Sequence, residues 1–455
     1  MNPNLSGKRT FTLTLGLVSL LIQTGLFAWL WLDYYSMVIM VHGLGIKFYF
    51  KGHVLFIAVY FLLLLFFTRT YGSSEVGHMK GAEAAVSQLL PLLIVNMFGY
   101  FLISLMKNWP VRIAPMVWIT LAQLVAAGIC FRVGRRLYAR LFSPLRALLI
   151  YTDGTAGEER LSLSDGKGEF CVEGSLCISR QREEEGLASV REELGRGWQA
   201  VVLDCSEEGM RNAVLRDCYA RSIPVYVAPT ITDVLMKGAQ PVHFMDSPVF
   251  WISGNPMSLE ERVMKRGMDI VLSFLLLIPA SLVMLILAVM IKCSDGGPVL
   301  YRQKRCTLDN RVFYILKFRS MRVDAEKESG ARLASADDSR ITPIGKYIRK
   351  FRLDELPQLF NILKGDMSFV GPRPERPEIM AEYMKDTPEF VYRTRVKAGL
   401  TGYAQVYGKY STAYEDKLKM DLFYIENYSV WLDMKLMMVT LKIIFRPDSA
   451  EGVKP

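Results

Sequence analysis

Histidine is scarce in this chain. Only His42, His53, His78 and His243 occur, and none lies beyond residue 243. An acid, base or metal ligand in the C-terminal half is therefore a carboxylate, which favours a hard ion such as Mg²⁺ over zinc. Cysteine is limited to seven residues, an odd number with no CxxC pair. That excludes a disulfide framework or a zinc finger and reads as reduced thiols in a cytosolic or membrane setting. Acidic residues are rarest of all at the start: before position 151 there are three, Asp33, Glu75 and Glu83, against thirteen Lys and Arg.

What fills that region instead is apolar. The 455 residues allow two or three domains, 51% are hydrophobic, and mean hydropathy is positive at +0.20. Four runs, Phe11 to Leu32, Val54 to Phe67, Ala84 to Met106 and Val111 to Phe131, predict four transmembrane helices in a domain over residues 1–134. The first lacks a small-residue cleavage site and is too long for a signal-peptide core, so it reads as retained. Arg132, Arg135, Arg136, Arg140 and Arg146 crowd the end of the fourth run. By the positive-inside rule that end faces the cytoplasm, and with an even number of spans so does the N-terminus. Basic residues flank apolar runs here and are not interleaved along one polar face, so membrane surface is the partner expected and nucleic acid is not.

From Arg146 the pattern changes. Ala147 to Tyr151, CVEGSLCI, Ala200 to Leu203 and Pro224 to Ala228 read as strands, and Glu184 to Leu194 and Met210 to Ser222 as helices. The alternation predicts a parallel α/β sheet over residues 146–250, a Rossmann-like module. The turn after its first strand, YTDGTAGEE, is not a GxGxxG, so a dinucleotide is not expected there.

Residues 268–291 are apolar between Lys265-Arg266 and Lys292. A helix of that length spans about 36 Å, enough to cross a bilayer. Pro279 removes a backbone hydrogen bond near its middle and forces a kink. Basic residues at both ends favour one interface for both, so the expectation is a helix-break-helix hairpin that dips into one leaflet. Hydropathy alone leaves a fifth span equally open.

The stretch RLDELPQLFNILKGDMSFVGPRPER, Arg352 to Arg376, is the richest in chemistry. Asp354 and Glu355 precede Pro357, a residue favoured in the first turn of a helix, and Gly365 suits a C-terminal cap, so a short helix is expected to start at the dyad. Leu356, Leu359, Phe360 and Leu363 would form its apolar face. Arg349, Lys350, Arg373 and Arg376 bracket the dyad, the last two within a Pro-fixed turn. A carboxylate pair ringed by cations suits phosphoryl transfer, although a lone acidic pair at a helix start is more often just solvated. Ahead of it, GGPVLYRQKR and KFRSMRVDAE read as extended segments, from which Lys317 and Arg319 are the candidate site residues, with Phe318 as anchor. Behind it, KAGLTGYAQVYGK offers glycines for close approach and Gln405 for a polar contact. The terminal VWLDMKLMMVTLKIIF reads as an interfacial helix.

The ordered motifs KRGMD, GGPVLYRQKR, KFRSMRVDAE, RLDELPQL, GDMSFVGPRP and TGYAQVYGK, from about Lys265 to Phe445, resemble the bacterial polyprenyl-phosphate hexose-1-phosphate transferases. These are the large membrane phosphoglycosyl transferases that begin exopolysaccharide, capsule or O-antigen synthesis. The resemblance implies an α/β-mixed, monotopic catalytic domain over residues 262–446 with a re-entrant helix at 268–291 broken at Pro279. It implies a UDP-sugar donor, a polyprenyl phosphate acceptor and UMP release at the cytoplasmic face of the cell membrane. Asp354 would attack the phosphate bearing the sugar, Glu355 would hold Mg²⁺, and Arg349 and Arg373 would bind phosphate oxygens, with Lys317, Arg319, Arg376 and Gln405 as further substrate contacts. The family differs at four places: it has Ser before the break proline where Ile278 stands, glycines where Thr307 and Asn310 stand, Ser where Arg352 stands, and Pro and Trp at Ala398 and Tyr403. Asn tolerates a left-handed turn, so the second change is compatible with the fold. A homo-oligomer, a non-enzymatic membrane scaffold or sensor, and a glycosyltransferase that releases UDP stay open at this point.

Overall fold

The computed structural model describes residues 3–42, 49–73, 81–152, 170–178, 183–205, 207–322, 340–408 and 412–444. The chain divides into two units, residues 1–228 and 229–455.

The first unit begins with the helices that the apolar runs predict. α1 (Pro3–Leu30) passes through a π-helical turn at Trp31–Tyr35 into α2 (Ser36–His42); α3 (Phe50–Thr70), α4 (Gly81–Lys107) and α5 (Ala114–Leu141) follow. Each outruns its apolar core because nothing stops it until a breaker arrives. After α4 that breaker is Asn108, left-handed at φ 64°, with Pro110 behind it. Of the arginines expected after the fourth run, Arg132, Arg135, Arg136 and Arg140 form the last turns of α5, and Arg146 lies in the strand that follows. Large apolar side chains such as Leu17, Trp29, Leu62, Phe101 and Trp118 point outward, as lipid requires. The interior instead holds a polar cluster that joins all four long helices. Tyr60 Oη donates to Asn96 Oδ1 at 2.7 Å. Asn96 Nδ2 donates to Thr120 Oγ1 at 2.8 Å and Gln123 Oε1 at 2.7 Å, and Gln123 Nε2 donates to Gln23 O at 2.8 Å and Tyr60 Oη at 2.9 Å.

The α/β part follows as read: β1 (Leu145–Thr152), β2 (Phe170–Ile178), α6 (Glu183–Leu194), β3 (Ala200–Asp204), α7 (Glu208–Ala220) and β4 (Val225–Val227). All strand pairs are parallel, in the order β2-β1-β3-β4. The dinucleotide-binding order is 3-2-1-4, so the order of this sheet is not the Rossmann one. All but the first two residues of the YTDGTAGEE turn lie outside the described residues.

The second unit starts earlier than composition suggests. In α8 (Ile231–Lys237), Val234 is buried in the same core as Leu418 and Leu422, and an antiparallel hairpin, β5 (Gln240–Phe244) with β6 (Ser247–Trp251), follows. α9 then runs Leu259–Asp295 as one helix. It starts nine residues before the apolar run because Ser258 and Glu261 form a reciprocal capping box, and it ends at Gly296 with φ 70°. The expected break at Pro279 is not a break in the helix: losing one N–H frees a single carbonyl, while every other bond on an apolar helix is worth closing. Among the described residues five helices are thus long and apolar enough to cross a membrane, the four of the first unit and α9.

Beyond α9, β7 (Leu300–Cys306) and β8 (Val312–Phe318) pair antiparallel. Asp309 and Asn310 take left-handed conformations (φ 54° and 57°) at their turn, the geometry that lets Asn310 stand in for glycine. α10 (Pro343–Lys350), a 3₁₀ turn (Leu353–Glu355), α11 (Gln358–Lys364), β9 (Ser368–Val370), α12 (Pro377–Asp386), a 3₁₀ segment (Pro388–Arg395), β10 (Gly399–Thr401), α13 (Tyr403–Tyr407), α14 (Tyr414–Glu426) and α15 (Val430–Ile444) complete the unit. β9 and β10 pair parallel. The terminal α15 packs into the core, with Asp433 and Leu436 fully buried, and is not merely laid on an interface. Asp433 accepts from Lys265 Nζ at 2.5 Å and from Tyr424 Oη at 2.7 Å, which satisfies its buried charge.

Candidate active site

The dyad does not open an α-helix. Asp354 and Glu355 close the 3₁₀ turn, and α11 begins only after Pro357. Pro357 has no N–H to give the carbonyl of Leu353, so the α-helical ladder cannot extend back to the dyad. Arg352, where the family has Ser, enters the turn left-handed at φ 52°, a conformation that costs a non-glycine residue about 1–2 kcal/mol. Gly365 caps α11 at φ 100° as expected. Its buried face is formed by Leu359 and Ile362, whereas Phe360 is exposed.

Three pins set this turn against its neighbours. Asn361, buried within α11, accepts from Leu316 N at 3.0 Å and donates to Tyr314 O at 2.9 Å, so it completes the free edge of β8. Arg266 of α9 donates to Ile362 O and Leu363 O, both at 2.7 Å, closing the orphan carbonyls of α11. Asp269, one turn further along α9, accepts from Ser368 Oγ and Phe369 N, each at 3.0 Å. None of the three was legible in the sequence. A polar Asn inside an apolar helix is the one signal that could have flagged Asn361.

The pins bring β8, α10 and the GPRPER turn together. Lys317 Nζ and Arg373 Nη2 lie 3.4 Å and 3.3 Å from Glu355 Oε1, and Arg352 Nη1 lies 3.9 Å from Oε2. Burial opposes the ionisation of Glu355, but Lys317, Arg373 and Arg352 outweigh it and hold the carboxyl at about 2. The same burial lowers the Lys317 ammonium, with Glu355 opposing. Glu355 raises Arg373 above its usual value. Asp354 is different. Burial, then the adjacent Glu355, push its carboxyl above the ordinary 3.8, and Lys317 and Arg349 only partly offset this. No ion pair among the described residues engages it. Two carboxylates one residue apart are thus driven in opposite directions, one locked as an anion among cations, the other left open.

Arg319, Arg376 and Gln405 are not members of these ion pairs. Arg319 is buried two residues beyond Lys317. Arg376 stands at the start of α12, where its charge acts on Arg305. Both polar atoms of the Gln405 amide in α13 are shielded from solvent without a hydrogen-bond partner among the described residues.

Among the described residues no three His, Cys, Asp or Glu side chains converge into a cage for a metal. Mg²⁺ needs no such cage: one or two carboxylates suffice when substrate phosphates and waters complete its shell. Glu355 does not fit as that carboxylate, since both its oxygens already face cations. Asp354 does fit.

The family model described as bacterial sugar transferase matches residues 260–447, which contain every residue of this site. The chain is 38% identical over 280 residues to a UDP-N-acetylgalactosamine-undecaprenyl-phosphate N-acetylgalactosaminephosphotransferase of Aeromonas hydrophila, covering 60% of this chain and 63% of that protein. It is 38% identical over 199 residues to the UDP-glucose:undecaprenyl-phosphate glucose-1-phosphate transferase of Escherichia coli (strain K12), 43% of each chain. It is also 37% identical over 192 residues to the uncharacterized sugar transferase EpsL of Bacillus subtilis (strain 168), 42% of this chain and 91% of that one. The match thus covers less than two thirds of the first two relatives and nearly all of the third. The chain belongs to the bacterial sugar transferase family.

Proposed function

We propose that this chain is a membrane phosphoglycosyl transferase that moves a sugar-1-phosphate from a UDP-sugar to undecaprenyl phosphate or a related polyprenyl phosphate. This would be the first membrane step of exopolysaccharide or capsule synthesis. The observation that carries the proposal is the split within the dyad: an open, partly buried Asp354 beside a Glu355 that gathers Lys317, Arg352 and Arg373. The printed names of the Aeromonas and Escherichia relatives, both undecaprenyl-phosphate sugar-phosphate transferases, point the same way.

In the first transfer an oxygen of Asp354 attacks the phosphorus that bears the sugar. An acyl phosphate bond forms, the bond from that phosphorus to the bridging oxygen breaks, and its electron pair leaves with UMP. In the second, an oxygen of the lipid phosphate attacks the same phosphorus and the Asp354 carboxylate departs, leaving a polyprenyl diphosphate sugar. Water takes no part. Lys317, Arg349 and Arg373 stabilise the charge that builds on the phosphoryl oxygens, and Glu355 holds two of those cations in place. Asp354 is the residue that would hold Mg²⁺, which would supply further neutralisation of that charge.

A cytoplasmic site is the reading that fits the donor, since nucleotide sugars are made there, and the arginine-rich end of α5 favours a cytoplasmic exit from the bundle. Both ends of α9 pack on the same unit. Its first turns are pinned through Lys265, Arg266 and Asp269, while Leu287 and Ile291 pack with Phe318, Ile348, Leu353 and Leu356 beside the dyad. Such packing supports an α9 that bends at Pro279 without losing its helical continuity and returns to the side it entered from, so that a lipid phosphate meets the dyad without leaving its leaflet.

Enzyme mixed with UDP-glucose, UDP-galactose or UDP-N-acetylgalactosamine alone should release UMP, up to one equivalent, and gain the mass of one sugar phosphate. UMP that appears only once lipid is added would reject the two-step route, and release of UDP would favour a glycosyltransferase. EDTA should abolish turnover and Mg²⁺ restore it. For α9, a cysteine at Gly254→Cys and the native Cys293, each as the sole thiol, should both resist an impermeant reagent outside intact cells; labelling of just one would mean a true span.

A further inference from the structure

Residues 371–376, the turn that delivers Arg373, form neither helix nor strand. Four successive carbonyls in it are nevertheless each held by a different donor. Gly399 N binds Pro372 O at 2.9 Å, Arg393 Nη2 binds Arg373 O at 3.0 Å, Arg305 Nη1 binds Pro374 O at 2.9 Å, and Cys306 N binds Glu375 O at 2.9 Å. Two of these donors are guanidinium groups aimed at the backbone. Arg393 has a side chain only 7% exposed, and its charge is met by Asp421 at 2.8 Å and Glu375 at 3.6 Å. Arg305 is similarly sheltered, with Glu375 at 3.8 Å. Neither forms an ion pair with Asp354 or Glu355.

We infer that Arg393, seconded by Arg305 and neutralised by Asp421, is a positioning residue that fixes the backbone of Arg373 so that its guanidinium is preset for a phosphate of the donor. The inference rests on the phosphoryl-transfer reading above. Its physical basis is simple. Pro372 and Pro374 fix two φ angles and also deprive the turn of two donors, so it cannot hold itself by local hydrogen bonds. Arg393 Nη2 meets both Asp421 and Arg373 O while Nη1 faces Glu375, so a lysine, one atom shorter and with a single nitrogen, keeps the charge opposite Asp421 but cannot serve all three partners at once. Arg305 was visible in the sequence as part of a basic run; Arg393 and Asp421 carry no sequence signal, since the partners they join are far apart in the chain.

The test is a double-mutant cycle on the full-length enzyme in vesicles, with whichever of UDP-glucose, UDP-galactose and UDP-N-acetylgalactosamine the wild type turns over fastest. Arg393→Lys should lower kcat/KM for that donor about 100-fold, the scale of a displacement near 1 Å at a reacting centre, with an unchanged melting temperature. In an Arg373→Gln background the same substitution should change kcat/KM less than about 2-fold, because its target is gone. An equal loss in both backgrounds would overturn the positioning role while leaving the functional reading intact. Wild-type kcat/KM in Arg373→Gln alone would overturn the functional reading and this inference with it. If Arg393→Lys fails to fold, Asp421→Asn replaces it in the cycle, with the same non-additivity expected and additivity again the overturning result.

Discussion

Two buried polar clusters divide the work of this molecule, and they are built on opposite principles. Tyr60, Asn96, Thr120 and Gln123 in the helical bundle are neutral, and their donors close on one another's acceptors. Lys317, Asp354, Glu355 and Arg373 are charged, and the balance is left incomplete at Asp354. In hydrocarbon an unmet polar group is costly, so a closed neutral set serves as glue between helices. At the dyad an incomplete set is an invitation: the cations can turn part of their charge to an arriving phosphate, and a carboxylate without an ion pair is free to attack it. Closure marks structure and incompleteness marks chemistry.

That contrast can be broken at several points. The largest effect is expected from Asp354→Asn, which keeps the shape and removes the nucleophile: turnover should fall at least about 1,000-fold, equivalent to about 4 kcal/mol of barrier, and intact-mass spectrometry should find no sugar-phosphate adduct. An adduct on that variant would move Asp354 out of the attacking role.

Glu355→Gln should cost less activity, about 100-fold, and lower stability by about 2 kcal/mol, because the buried Lys317 loses its counter-charge. Denaturant titration and steady-state kinetics read the two effects separately. The pH profile sharpens the same point. Glu355, held at about 2 against an ordinary 4.5, contributes stability in full above pH 4.5 and loses it as pH falls from 4.5 towards 2. Asp354, shifted upward, favours the fold while protonated and loses that contribution as pH rises through its folded value, so ionising the nucleophile is mildly opposed by the fold. The acid limb of kcat/KM should therefore lie above pH 3.8 and move to lower pH in Glu355→Gln, where the neighbouring negative charge is gone. A limb that stays put would mean that another group sets it.

The smallest effect on chemistry should come from the bundle. Asn96→Leu removes three hydrogen bonds and should destabilise the bundle by about 2 kcal/mol, at about 0.6 kcal/mol for each bond in a membrane, while kcat/KM at the dyad changes less than about 2-fold. A collapse of turnover in a folded Asn96→Leu protein would show that the bundle's cluster is more than glue.

Much of this was legible in order along the chain. The four helices of the bundle and the strands around Ala147, Ala200 and Val225 follow from apolar runs and alternation, since their periodicity is local. The left-handed turn at Asn310 and the cap at Gly365 were readable for the same reason: each depends on one residue's own φ. The break at Pro279 and the helix start at the dyad were misread because a proline's missing N–H matters only where its partner carbonyl lies, and the packing of the last helix into the core depends on neighbours distant in sequence. Packing of α15 against the second unit's core, for example, rests on Lys265, 168 residues before Asp433.

The sequence by itself determined the class of chemistry: adjacent carboxylates, a ring of cations, no histidine near them, and enough apolar length to bind a membrane. It could not say which carboxylate is open and which is locked. Residue type is identical in kind at 354 and 355; what separates them is that a 3₁₀ turn points one side chain at Lys317, Arg352 and Arg373 and the other away from such pairs. Charge–charge energies fall with distance and rise with burial, and only the tertiary structure sets either.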